Sequence, residues 1–177
     1  MSSDEFQRWA RFGVDQDGIK YIPIGGTCLI NYLISRKGDS ILVGKVNGKD
    51  QAEYWKKEAV YLHRPHIWVD KWFIPCGFLH FGEDPQERAN VLVKDMLNAK
   101  AKSISLSKVI SYNEASEYYP GYHHWHVDFI YDVEGLKLSK TPVWWDSLEY
   151  VPLKELKPNQ IGMAGAMVLK KLDVIKR

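Results

Sequence analysis

The chain has 177 residues, 45% of them hydrophobic and 26% charged, with a formal net charge of +2; this is the length of one ordinary domain and a balance foreign to disordered or collagen-like chains. No uncharged run approaches the roughly 18 apolar residues of a membrane span, and Met1 to Glu5 lacks the basic flank and apolar stretch of a signal peptide, so a cytoplasmic protein with no membrane partner is expected. Cys28 and Cys76 form no CxxC pair and read as reduced core thiols, while a charge of +2 does not by itself establish a nucleic-acid partner.

Residues 1–19 read as an N-terminal helical extension, with Phe6, Trp9, Ala10 and Phe12 at helical spacing behind Asp4, and residues 20–177 as the main domain. Thr27 to Ser35 and Ser40 to Val46 are β-branched, apolar runs around Arg36-Lys37-Gly38-Asp39, which predicts a hairpin with a glycine-containing turn. Residues 51–63 predict an amphipathic helix with Trp55, Ala59, Tyr61 and Leu62 inward. An extended stretch runs from Ile67 to Ile74, ends at Pro75, and is followed by a short strand or loop from Gly77 to Phe81.

From Asp84 to Lys100 the spacing predicts a helix with Ala89, Val93, Met96 and Leu97 on its apolar face, Asp84 as cap and Pro85 in the first turn. Ser103 to Ser111 predicts a strand, Tyr112 to Gly121 a polar and aromatic loop, and Tyr122 to Val133 a long strand. Thr141 to Val151 is extended with a break near Asp146, and Gln160 to Lys171 reads as a final helix opened by Asn159. This order indicates an α+β fold, an α/β/α sandwich with mixed strand pairing.

The stretch from Trp72 to Pro85 contains Gly77 and Glu83 with five residues between them, a preceding Trp-x-x-Pro and a following Gly-Glu-x-Pro. It resembles the strand-loop-helix of the Nudix family, whose pattern is Gly, five residues, Glu, seven residues, then Arg-Glu-apolar-any-Glu-Glu-any-Gly-apolar. The resemblance covers residues 20–172. It implies a Nudix-type α/β/α sandwich and hydrolysis of nucleoside diphosphate derivatives with Mg²⁺ held by helix glutamates.

The second half of that pattern is altered. Val91 and Leu92 stand where Arg-Glu is expected, Val93 at the apolar position, Asp95 and Met96 at Glu-Glu, and Asn98 at Gly. One acid of three remains, whereas Mg²⁺ requires several oxygens in octahedral geometry. Asp95 is then the one helix residue left as a metal ligand, and the missing arginine leaves Glu83 without its usual ion-pair partner. The leading expectation is a catalytically impaired Nudix-like module that binds a nucleotide or RNA. The alternatives are an active hydrolase with a non-standard site built from Glu83, Glu87, Asp95 or His80, and a protein or ribonucleoprotein contact through Leu92 and Met96.

Two further groups stand out. His124, His126 and Asp128 share one strand face and are expected to be structural rather than metal-binding. Tyr118 and Tyr119 offer aromatic faces for base stacking, so Gly77, His80, Tyr118 and Tyr119 are the candidate ligand contacts. Trp144 and Trp145 read as core. Lys100, Lys102, Lys108, Lys170 and Lys171 are scattered along the chain and form no continuous patch in the sequence.

Overall fold

The computed structural model describes residues 13–14, 20–21, 27–46, 70–79, 82–115, 123–142, 145–162 and 165–172. The helices expected over 4–12 and 51–63 lie outside these residues. Strand β1 (Gly13–Val14) pairs with β2 (Lys20–Tyr21) in a small antiparallel ribbon.

Strand β3 (Thr27–Ile34) is central to a mixed sheet. Cys28, Ile30, Tyr32, Leu33 and Ile34 are all at most 2% exposed, so layers cover both faces of the strand, and its two edges are taken by Cys76–Phe78 and His123–Glu134. It therefore does not form the expected hairpin with the next apolar run. The chain turns at Ser35, and β4 (Arg36–Lys37) pairs with β5 (Ser40–Val46) through a turn at Gly38, φ +56°. The glycine turn is thus real, but β3 and β5 belong to different sheets. Buried Ser35 joins them: its carbonyl accepts the Leu42 N–H at 2.9 Å and its Oγ lies 2.8 Å from the Tyr150 hydroxyl.

Strand β6 (Trp72–Phe73) pairs with β5, and β7 (Cys76–Phe78) pairs antiparallel with β3. Helix α1 (Pro85–Val91) continues directly into a π-helical turn, Leu92–Met96, closed by the Leu97 N–H on the Leu92 carbonyl at 3.2 Å. The expected helix to Lys100 stops here. Asn98 adopts φ +46°, a left-handed conformation that the short polar asparagine tolerates and that ends helices. Ala99–Lys100 then forms β8.

Strand β9 (Ser103–Ala115) runs past the loop expected at Tyr112, because Tyr112 to Ala115 stay in register with β10 (His123–Glu134). Strand β10 also pairs in parallel with β3, giving the order β7-β3-β10-β9. Strand β11 (Lys137–Leu138) pairs with β8, and β12 (Trp145–Pro152) pairs with β5 across a register shift at Asp146, the expected break. The final helix, α2 (Gly165–Lys171), starts later than Gln160. Pro158–Gln160 form a 3-10 turn, and Ile161 and the Gly162 N–H are held by Trp72 instead.

Side-chain alternation divides the interior in two. Cys28, Ile30, Tyr32, Ile34 and Ile130 pack with Val168 and Leu169 of α2. Leu33, Tyr131 and Val133 pack with Ala89, Leu92, Val93, Met96 and Leu97. Helices cover both faces of a mixed sheet, so the fold is an α+β α/β/α sandwich.

Candidate functional site

The first region is the loop leading into α1. Asp84 caps the helix, its Oδ1 accepting the N–H groups of Gln86 at 2.8 Å and Glu87 at 3.0 Å, which satisfies two donors that the helix itself cannot. The Asn31 side-chain amide donates to the Pro85 carbonyl at 2.7 Å and ties this end to β3. Gly77 lies under the helix: a Cβ built there would stand 2.6 Å from Leu92 Cδ2 and 3.4 Å from Arg88 Nη2.

Glu83 does have an ion-pair partner, contrary to the expectation from Val91. Arg88 Nε lies 3.7 Å from Glu83 Oε2 and donates to the Phe78 carbonyl at 3.0 Å. The Arg88 side chain is 3% exposed and that of Glu83 34%, while Val91, at the arginine position of the pattern, is 41% exposed. The pair forms because Asp84 starts the helix immediately after Glu83, which leaves the first-turn arginine, rather than a residue one turn further on, facing the loop. The sequence signal is the short Glu83-to-Arg88 spacing.

Leu92 and Met96 are both 0% exposed. They occupy one helix face, as i and i+4 residues do, and the Met96 carbonyl accepts the indole N–H of buried Trp145 at 3.0 Å. A partner surface built from Leu92 and Met96 is therefore ruled out, since neither side chain reaches the surface. Trp145 is core as expected; Trp144 lies outside the described residues.

Glu87 and Asp95 are exposed. Eight residues, about two helical turns, separate them along α1 and the π-helical turn, too far to share one ion. With Glu83 engaged by Arg88, the described acids do not fit a Mg²⁺ ion bound as the Nudix resemblance implies. Among the described residues no group of three His, Cys, Asp or Glu side chains converges as a metal site. His80, Tyr118 and Tyr119 lie outside the described residues.

The second region is a buried polar cluster on the α2 side of the sheet. Tyr112 stacks on His126 with ring centroids 5.1 Å apart and planes 8° from parallel, and its hydroxyl donates to Asp128 Oδ2 at 2.7 Å. His126 Nδ1 lies 3.7 Å from Asp128 Oδ1, and Cys28 stands opposite His126 in the parallel register. His126 is 6% and Asp128 0% exposed. Burial alone would lower the imidazole pKa, but contacts with Asp128 and Cys28 outweigh it and push the group up to about 10. Burial, reinforced by the negative charge of Asp128, pushes the Cys76 thiol well above its usual range. The shared face read for His126 and Asp128 is present; the side chain of His124 lies outside the described residues.

The opposite sheet face holds a residue that is not among the ligand contacts expected from the sequence. Trp125 is 52% exposed, and its indole N–H donates to Ser111 Oγ at 2.6 Å. Half-buried Leu29, Val127 and Phe129 follow it on the same face, and the loop after β7 leaves from there, its Leu79 N–H bonded to the Leu29 carbonyl at 2.9 Å. The signal available in the sequence is the alternation His-Trp-His-Val-Asp-Phe, in which burying His126 and Asp128 turns Trp125 to the other face.

No family model matches the sequence, and no curated protein matches it. Solved structures do. The chain is similar to a MutT NUDIX hydrolase from Burkholderia pseudomallei, with 17% identity over 82% of this chain and 98% of that one and a TM-score of 0.55. It is also similar to a MutT protein from Bacillus halodurans, with 14% identity over 84% and 83% of the two chains and a TM-score of 0.52. A NUDIX hydrolase from Nitrosomonas europaea matches with 14% identity over 81% and 68%, at a TM-score of 0.51. At these identities the likeness is one of architecture, and the chain has the fold of the Nudix hydrolases.

Proposed function

We propose that this chain is a Nudix-fold module that has lost efficient pyrophosphate hydrolysis and binds a nucleotide or RNA in the cytoplasm. The observation that carries the loss is the burial of Leu92 and Met96, each 0% exposed, where two glutamates stand in the Nudix pattern. Of the residual acids, Glu83 acts through its pair with Arg88 to hold the loop. Glu87 and Asp95 are left as solvated helix carboxylates, without the oxygen count Mg²⁺ needs.

Retained binding is supported by Trp125, whose indole is half exposed and held in place by Ser111. Aromatic faces of this kind stack bases for roughly 1–3 kcal/mol each. Tyr118 and Tyr119 lie between β9 and β10 in the sequence and His80 follows Leu79; these are the proposed ligand contacts alongside Trp125, with Gly77 setting the helix against β7.

Calorimetry with nucleoside mono- and diphosphates, with and without Mg²⁺, tests the reading. Binding without turnover, weakened about tenfold or more by Trp125→Ala as loss of a stacking face implies, is expected. Mg²⁺-dependent release of phosphate or nucleotide, abolished by Asp95→Ala, would refute it.

A further inference from the structure

Two of the dispersed lysines, Lys100 and Lys102, come together with Lys137 and Lys140 at the β8–β11 ribbon. Lys100 and Lys137 stand directly opposite each other in the antiparallel register. One step along, Lys102 lies beside Gly135: a Cβ on Gly135, whose φ is +59°, would come within 2.8 Å of the Lys102 Cβ. One step the other way, the Asn98 carbonyl accepts the Ser139 N–H at 3.2 Å and its side-chain amide donates to the Lys140 carbonyl at 3.0 Å, which holds the Lys140 backbone just beyond that end. With roughly 6.6 Å for every two residues of strand, the strip spans about 13 Å. All four lysines are exposed, and among the described residues none of them forms an ion pair.

Like charges directly opposite each other across a ladder repel. A lone edge lysine guards a sheet against unwanted pairing, but that purpose does not call for an opposed pair flanked by two more. Exposed Glu134 adjoins the strip, its carbonyl accepting the Lys102 N–H at 2.9 Å and its carboxylate accepting from Ser103 Oγ at 3.3 Å; four lysines beside that acid still leave a local excess of positive charge in a chain that carries only +2, and its complement is a run of closely spaced negative groups. The apolar content of the ribbon's exposed surface is slight, with Leu138 at 36% exposure, so it lacks the anchor that sinks a basic surface into a bilayer.

We infer that Lys100, Lys102, Lys137 and Lys140 bind the phosphodiester backbone of single-stranded RNA, without reading its sequence. The strip is separate from Trp125, which lies toward the other end of β10, and the inference rests on the RNA half of the function proposed above.

The test is fluorescence anisotropy of a labelled oligouridylate against the whole chain over a series of salt concentrations. Single strands give a slope of log K against log salt of about −0.7 per neutralised phosphate. Four contacts therefore give about −2.8, or roughly a fifty-fold loss of affinity between 50 and 200 mM salt. Lys100→Glu with Lys137→Glu is expected to abolish most of the binding. Lys102→Gln with Lys140→Gln, which leaves no repulsive charge behind, should lower the slope by about 1.4. The control is Lys154→Glu, exposed at the far end of β12, which should leave affinity within about twofold.

No binding, an unchanged slope in the Gln pair, an equal loss in the Lys154 variant, or capture of anionic phospholipid vesicles in place of RNA would each overturn the inference. Nucleotide binding sensitive to Trp125→Ala is unaffected by these lysine variants, so failure of one site does not imply failure of the other.

Discussion

Replacing Gly77 by alanine tests whether the helix is held against the loop by close packing. The new methyl would stand 2.6 Å from Leu92 Cδ2 and 3.3 Å from Cδ1. Leu92 is 0% exposed, so its methyl groups can give way only against neighbouring core side chains. Gly77 is not among the glycines with positive φ, so the cost is overpacking rather than backbone strain, about 1–3 kcal/mol. Leu92→Ala alone should cost about 2–5 kcal/mol through lost burial and the cavity it leaves. In the double variant the added methyl enters space vacated by the leucine, so the sum of the two costs should exceed the measured loss by about 1–3 kcal/mol. Urea unfolding followed by tryptophan fluorescence on the wild type, both single variants and the double variant reads the coupling directly. Additivity within about 0.5 kcal/mol would show that Gly77 and Leu92 do not compete for the same volume, and the packing argument would fail.

Arg88→Ala should destabilise by about 1–3 kcal/mol, because the buried hydrogen bond from its guanidinium to the Phe78 carbonyl is lost, whereas Glu83→Gln, at a third-exposed carboxylate, should cost under about 1 kcal/mol; equal losses in chemical denaturation would contradict this ranking. His126 has a folded pKa of about 10, above its ordinary value of about 6.5, so its stabilising contribution is fully present below about pH 6.5 and is lost as pH rises through about 10. Urea midpoints across that window should fall, and Asp128→Asn should flatten the fall; a profile that rises with pH would show the sign to be wrong. Leu92→Glu with Met96→Glu, which rebuilds two acids of the Nudix pattern, should unfold the protein instead of binding Mg²⁺, since it buries two charges at several kcal/mol each; a folded double variant with stoichiometric Mg²⁺ by calorimetry would refute that.

Much of the local structure is legible without coordinates. Asp84 and Pro85 announce the start of α1, Gly38 the tight turn, and the alternation from His123 to Glu134 a long strand. Gly77 and Glu83 carry the resemblance that the solved structures bear out as a fold. What the residues between 84 and 100 could not disclose is how their helix ends. A left-handed Asn98 and a π-helical turn replace the expected continuation, because Ala99 is drawn into a ribbon with a strand nearly forty residues away.

The candidate sites divide along the same line. That the pattern's glutamates are missing is plain from Leu92 and Met96 themselves, but their burial, which excludes a partner surface, depends on Trp145 and Gly77 packing against the helix from other elements. Arg88 reaches Glu83, Trp125 is turned outward by the burial of His126 and Asp128, and Lys100 faces Lys137 across β8 and β11 with Lys102 and Lys140 just beyond the two strands. Sequence alone determines conformational preference and which residues seek burial, since φ/ψ preference, capping and hydrophobic period act within a few residues. Which strand lies beside which, as when β3 takes β10 in preference to β5, is decided only in the tertiary structure, because an unpaired strand edge accepts any partner whose far side completes the burial of both.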